Sequence, residues 1–285
     1  MRVTMDCVSC MMRQTVDAAR RAKADEGAQK RILIGACEIL ARGFNNDEMT
    51  VTISRDLTQL VVEETSVEDP YLEVKERHIK EALALYPRLK ERVAKAPDRL
   101  LAALKTAAAG NVLDIFIDVD VQAEDVEEIL NQDFALSCLE EFRQQLARSK
   151  DVLILADNAG ETVFDRILIE ELGDKNVIYA VKDSPIANDA TLKDARDSGL
   201  EEVATLISAG CSTAGTFLDD CTEEFRRLFF EADLVISKGM GNYEAISESP
   251  RPVFFLLKAK CQPVADDIGV PLGELIFARQ EDIRK

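Results

Sequence analysis

From Met1 to about Ser149 apolar residues recur at intervals of three and four: across Val8 to Ala22, in Ile32 to Phe44 through Leu33, Cys37, Leu40 and Ala41, and in Leu57 to Val62. That is the period of helices with one buried face. Asp69 before Pro70 is a favoured helix start, which predicts a helix through Tyr71, Val74, His78, Ala82 and Leu85 that ends or kinks at Pro87. Further helices are predicted over Asp98 to Ala109, stopping at Gly110 and Asn111, over Ala123 to Leu130 and over Phe134 to Ala147. Near residue 150 the pattern changes. Val152 to Leu155, Val177 to Val181, Val203 to Ser208, Leu234 to Ser237 and Val253 to Leu257 are short apolar runs, each followed by a polar turn and a helical stretch, with Leu275 to Phe277 as a possible sixth. Strands that alternate with helices imply a parallel, doubly wound sheet. The fold class is therefore α/β: an all-helical N-terminal part, 1–150, followed by a Rossmann-like core, 151–285. No Pro, Gly or Ser-rich linker separates them, so the helices are expected to pack onto the sheet and wall its active edge.

In such a sheet ligands bind beyond the carboxyl ends of the strands, and the residues standing there define the candidate chemistry. Asp157, Asn158, Gly160 and Glu161 follow the first run; Lys182 and a stretch ending in Asp189 follow the second; Lys238, Gly239, Gly241 and Asn242 follow the run at Leu234. Oxygen ligands without histidine pairs favour a hard or borderline divalent cation, and Asp157, Asn158 and Asp189 are the ligands these loops offer. Lys238 between an apolar strand and two glycines suits an anion, because glycine lets backbone N–H groups approach a phosphate. Asn111 and Asp114 could line the same cleft or simply end a helix. Each residue also has a plain reading as a turn former or helix cap. Convergence at successive strand ends is what favours chemistry.

Composition narrows the classes. Fifty-three acidic residues against 35 basic ones give a net charge of −18, which argues against nucleic acid as a partner. No apolar run approaches membrane-spanning length, and the charged first twenty residues lack a signal peptide's apolar stretch, so the expected compartment is the cytoplasm. Seven scattered cysteines read as reduced thiols. A single histidine, His78, excludes multi-histidine metal sites, and on its helix it reads as a packed residue. Cys7-x-x-Cys10 is half a zinc site or a redox pair, in helical context without the preceding strand of a thioredoxin motif.

The segments DNAGETVFDRILIEEL, KDSPIANDAT, SKGMGNYEAI and LLKAKCQPVADDIGVPLGELI, taken with MDCVSCMMRQTVDAAR, DPYLEVKERHIKEAL and AGNVLDIF near the N-terminus, resemble the damage-control phosphatases, also called domain of unknown function 89, in their microbial CxxC-bearing branch. The resemblance spans essentially the whole chain. It implies a metal-dependent hydrolase of small phosphorylated metabolites, sugar phosphates or damaged phosphometabolites, using Mn²⁺, Mg²⁺, Co²⁺ or Ni²⁺. It puts the metal on Asp157, Asn158 and Asp189; the catalytic residues expected on that basis and from position are Asp157, Asn158 and Glu161, the last one helical turn on from Asp157. Lys238, Gly239, Asn242, Lys258, Asn111 and Asp114 are the expected phosphate and substrate contacts. The Arg-Thr-x-Lys motif of other branches reads Phe255-Leu256-Leu257-Lys258 here, lacking its Arg and Thr. Direct attack by water is expected over a phosphoaspartate on Asp157, since the Asp-x-Asp pair of haloacid-dehalogenase-type phosphatases is missing; Glu161 could orient that water or a sugar hydroxyl. Two other classes fit parts of the chain. An S-adenosylmethionine-dependent methyltransferase would use the Asp157 turn, which lacks a run of glycines, and a non-enzymatic metal or redox module would centre on Cys7 and Cys10. Oligomeric state stays open.

Overall fold

The strands of the second half are apolar on both sides, and alternate residues go to different cores. The computed structural model describes residues 1–116 and 130–283, with side chains for 1–110 and 130–283. Strands β1 (Phe134–Ser137), β2 (Asp151–Leu155), β3 (Asn176–Val181), β4 (Thr205–Ser208), β5 (Leu234–Lys238), β6 (Phe254–Lys258) and β7 (Leu275–Arg279) form one sheet in the order β1-β7-β6-β5-β2-β3-β4. Val152, Ile154, Tyr179 and Ile236 enter one core, under helices α4 (Leu72–Lys95), α5 (Arg99–Phe116), α6 (Leu139–Arg148), α7 (Thr162–Glu170) and α8 (Leu192–Asp197). Leu153, Leu155, Val235 and Phe255 enter the other, under α9 (Glu223–Glu231), α10 (Gly239–Ile246) and α11 (Gln262–Ile268). A four-residue helix, α12 (Gln280–Ile283), follows β7.

Chain order runs outward from β2 through β3 to β4 on one side and from β5 to β6 on the other. The reversal between β2 and β5 opens a crevice at their carboxyl ends, the expected ligand position of this topology. Over that edge lie α1 (Met5–Arg21), α2 (Glu26–Asn45) and α3 (Thr50–Thr65), which bury Met11, Ala36, Leu40, Ile53 and Leu57 among themselves. Polar contacts dock them: the Thr50 hydroxyl donates to the Glu244 carboxylate on α10, and Arg55 reaches Asp220 at 2.5 Å. The N-terminal helices thus pack onto the sheet layers and wall the active edge as expected.

Several elements differ from the sequence expectation. Phe134 to Ala147 is not helical throughout, because Phe134–Ser137 pairs with β7 as an edge strand before α6 begins. The sheet is not wholly parallel: β7 runs antiparallel to β6. Helix α4 continues through Pro87 to Lys95, and α5 continues past Gly110 to Phe116. The helix expected over Ala123 to Leu130 lies outside the described residues apart from Leu130.

Candidate active site

The loops after β2 and β3 are stitched together by their own backbones. Ala156 N donates to Ala180 O at 2.9 Å, Ala190 N to Asp157 O at 2.8 Å and Ala159 N to Asn188 O at 2.9 Å, so Asn158 and Asp189 face each other as an antiparallel bridge. Ala187, at φ 44°, sits in the left-handed region without being glycine, a strained turn of the kind found where a loop must hold a fixed shape. Together these loops aim Asp157, Asn158 and Asp189 into a cavity of about 290 Å³. Gly239 closes in from β5 with φ 73°; a Cβ there would stand 1.8 Å from Asp157 Oδ2, so only glycine permits the carboxylate this position.

Beneath the cavity floor runs a buried ionic chain. Asn158 Nδ2 donates to Asp157 Oδ2 at 3.2 Å and to Glu161 Oε1 at 2.6 Å. Lys238 Nζ donates to Glu161 Oε2 at 3.0 Å, to Asp165 Oδ1 at 2.5 Å and to the Ala107 carbonyl at 3.2 Å. Tyr179 completes the chain at 2.7 Å from Asp165. Burial works against the Lys238 charge, but Asp165 and Glu161 outweigh it and hold the ammonium above its ordinary value. With its amide nitrogen so used, Asn158 has its oxygen left to offer the cavity.

Among the described residues five buried carboxylates, Asp157, Glu161, Asp165, Asp189 and Asp194, stand against three buried ammoniums, Lys75, Lys182 and Lys238, and Lys75 is paired with Asp194 at 3.0 Å. Asp189 Oδ2 accepts no hydrogen bond, and Lys182 Nζ stands 3.7 Å away, an ion pair beyond hydrogen-bond reach. Burial, with the charges of Glu161 and Asp189 added, raises Asp157 well above the carboxylate range, while Lys260 and Lys182 oppose. Asp189 is pushed up to about 7, chiefly by burial. This donor set fits a divalent cation: oxygen ligands, an unbonded buried carboxylate oxygen and a surplus of negative charge. Among the described residues no three His, Cys, Asp or Glu side chains are grouped for a metal. Here the third donor would be the Asn158 amide.

Of the expected phosphate contacts, Lys238 and Asn242 are turned away from the cavity. Lys238 is consumed below the floor, and Asn242 is a buried crosspiece that donates to the Ala156 and Lys238 carbonyls at 2.9 and 2.8 Å while accepting from Thr216 and Lys182. Glu161 is fully buried between Asn158 and Lys238 and is not among the cavity-lining residues. Lys258 does not line the cavity; burial, then repulsion from Lys260, lowers its pKa. Lys260, two residues on, lines the cavity in its place. The side chains of Asn111 and Asp114 lie outside the described residues. His78 is buried on α4, as expected. Sequence reasoning placed Lys182 at the second strand end without a role, missed Lys260, and did not single out Gln14, Thr50, Ser54 and Glu244, which complete the wall from α1, α3 and α10. The signal for Lys260 was its place in the same motif, two residues past Lys258.

A doubly wound sheet with an acid, an amide and a lysine gathered at one cavity offers a place for a cation and an anion, and comparison with known proteins gives the class. The Damage-control phosphatase ARMT1-like domain matches residues 3–276. A damage-control phosphatase of Pyrococcus horikoshii is 32% identical, over 99% of this chain and 99% of its own, and one of Archaeoglobus fulgidus is 33% identical, over 97% and 98%. A crystal structure of a DUF89 family protein from Pyrococcus horikoshii superposes with a TM-score of 0.91 at 32% identity, covering 98% of this chain and 99% of that one. The chain belongs to the ARMT1-like damage-control phosphatase family, and is an enzyme of the phosphatase class. That membership displaces the methyltransferase reading. No described helix is long and apolar enough to cross a membrane.

Proposed function

We propose that the protein is a metal-dependent phosphatase in which Asp157, Asn158 and Asp189 hold one divalent cation, Mn²⁺, Mg²⁺, Co²⁺ or Ni²⁺, and that it hydrolyses small phosphorylated metabolites such as sugar phosphates or damaged phosphometabolites. The observation that carries this is the surplus of buried carboxylate charge around an Asp189 oxygen with no hydrogen bond. Bound there, the cation would supply Lewis-acid stabilisation of a phosphate oxygen and a more acidic water. Lys260, in the wall, neutralises phosphate charge; Lys182, behind Asp189, balances the ligand carboxylates from below. Glu161 is assigned a positioning role: it fixes the Asn158 amide so that its oxygen faces the cavity. Gln14 and Ser54 offer amide and hydroxyl groups to the rest of a polar substrate. Water is the proposed nucleophile.

The test is phosphate release from p-nitrophenyl phosphate and a panel of sugar phosphates, with chelator-stripped protein and each metal added back. Activity should return with metal and fall by about a hundredfold or more in Asp157→Asn and Asp189→Asn, the scale on which removing preorganised charge stabilisation acts. Lys260→Ala should lose far more than Lys258→Ala. Metal-independent activity, or an unaffected Asp189→Asn, would sink the assignment. Trapping a phosphorylated Asp157 would overturn direct water attack.

A further inference from the structure

The oxygen side of the cavity is used by the phosphatase reading, and the sulfur side is not. Cys7 and Cys10 line the same cavity as Asp157 and Asp189, together with Cys261. Met5 is the first residue of α1, so Cys7 and Cys10 fall in its first two turns and, three residues apart, on one face. Helical rise and radius separate their Cα atoms by about 5 Å, within the span of a disulfide. Both are half-exposed.

Their neighbours point to reactivity. Thr4 occupies the N-cap of α1 but makes no side-chain cap bond; its Oγ1 lies 3.2 Å from Cys7 Sγ instead. Arg13 and Gln14 each donate toward Cys10 Sγ at 3.8 Å. Donors aimed at a sulfur can stabilise the negative charge that passes through it during attack on a disulfide, and of the two cysteines it is Cys10 that has them. Among the other thiols, burial pushes Cys261 up to about 11. The hydrogen bond with Cys221 lowers Cys211 to about 6, but these two are 1% and 5% exposed and do not line the cavity, and Cys37, exposed on α2, does not line it either.

We propose that Cys7 and Cys10 are a dithiol site that exchanges with small-molecule disulfides, Cys10 attacking and Cys7 resolving. The Cys10 thiolate attacks one sulfur of R–S–S–R; a Cys10–S–S–R bond forms, the R–S–S–R bond breaks, and one R–S⁻ leaves. The Cys7 thiolate then attacks Cys10 Sγ, forming the Cys7–Cys10 bond and expelling the second R–S⁻. Two electrons pass from the protein to the small disulfide, and the two thiol protons go to solvent or to the released thiolates. The mixed disulfide places R inside the cavity, where a phosphorylated substrate would sit. The exchange itself does not depend on the phosphatase reading.

The test treats the full chain, folded and reduced, with excess oxidised glutathione, then alkylates and maps peptides by mass. The wild type should lose two alkylatable thiols and yield a linked Cys7–Cys10 peptide without a lasting adduct. Cys7→Ser should stop at one glutathione on Cys10, and Cys10→Ser should give neither link nor that adduct. The proposal fails if the wild type keeps all its thiols, if the link maps to Cys211 and Cys221, or if Cys7→Ser acquires no adduct on Cys10. Because mass is read and not phosphate release, this failure is distinct from failure of the phosphatase assignment.

Discussion

Lys238 is fully buried, and three acceptors surround its ammonium. Such a group is costly to desolvate, and removing it costs more, because Glu161 and Asp165 would remain buried without their counter-charge. Lys238→Met is expected to destabilise the fold by about 3–5 kcal/mol, the usual penalty for stranding buried charge. Adding Glu161→Gln and Asp165→Asn should recover much of that loss, a coupling that urea denaturation of the series would measure. A single-variant loss below about 1 kcal/mol, the scale of an exposed ion pair, would refute the buried-network account. The same residue marks the limit of sequence reading. A lysine at a strand end next to glycines was legible as a site residue, but its direction was not. Leu234, Ile236 and Lys238 alternate onto the face covered by α5 and α7, so the ammonium meets Ala107, Glu161 and Asp165 and not the cavity. Strand parity contained that answer only once the covering helices were known.

Among elements, the strongly periodic helices and the apolar strands were legible, and the weak signals were not. β1 is four residues long at a sheet edge, too short for its alternation to stand out from the helix that follows. Pro87 falls on the exposed side of α4, so the carbonyl four residues earlier, which loses its helical donor, can turn to water, and the helix continues. Further along the pair α4 and α7, Glu170 accepts from Tyr86 at 2.6 Å and pairs with Lys90 at 2.8 Å, joining the N-terminal half to the core. Burial would raise this carboxyl, but the hydrogen bonds from Lys90 and Tyr86 outweigh it and lower its pKa from 4.5. A folded pKa below the unfolded one means stability that is fully present above 4.5 and is lost as pH falls through the lowered folded value. The wild type should therefore exceed Glu170→Gln in denaturant midpoint at neutral pH, and the gap should shrink on acidification. A gap that is constant or grows toward low pH would show that this contact is not held by charge.

At the scale of the whole molecule the question is why a chain of net charge −18 concentrates further carboxylates in its interior, with Asp157 and Asp189 at one cavity. Stability alone disfavours this, and functional sites are where such conflict is expected. If a divalent cation is the missing partner, its binding must stabilise the fold. A site loaded at about a hundred times its dissociation constant gains roughly 2.7 kcal/mol, enough to move a thermal midpoint by several degrees. Acidic surfaces also gather cations without specificity, so the wild type alone cannot decide. Asp189→Asn supplies the control, since it keeps nearly all the surface charge and removes one ligand. Without metal it should be more stable than the wild type, because one clustered carboxylate is neutralised; with Mg²⁺ or Mn²⁺ it should gain little while the wild type gains several degrees. The crossing of the two series under differential scanning fluorimetry is the expected signature, and equal shifts in both proteins would mean that the cations act at the surface.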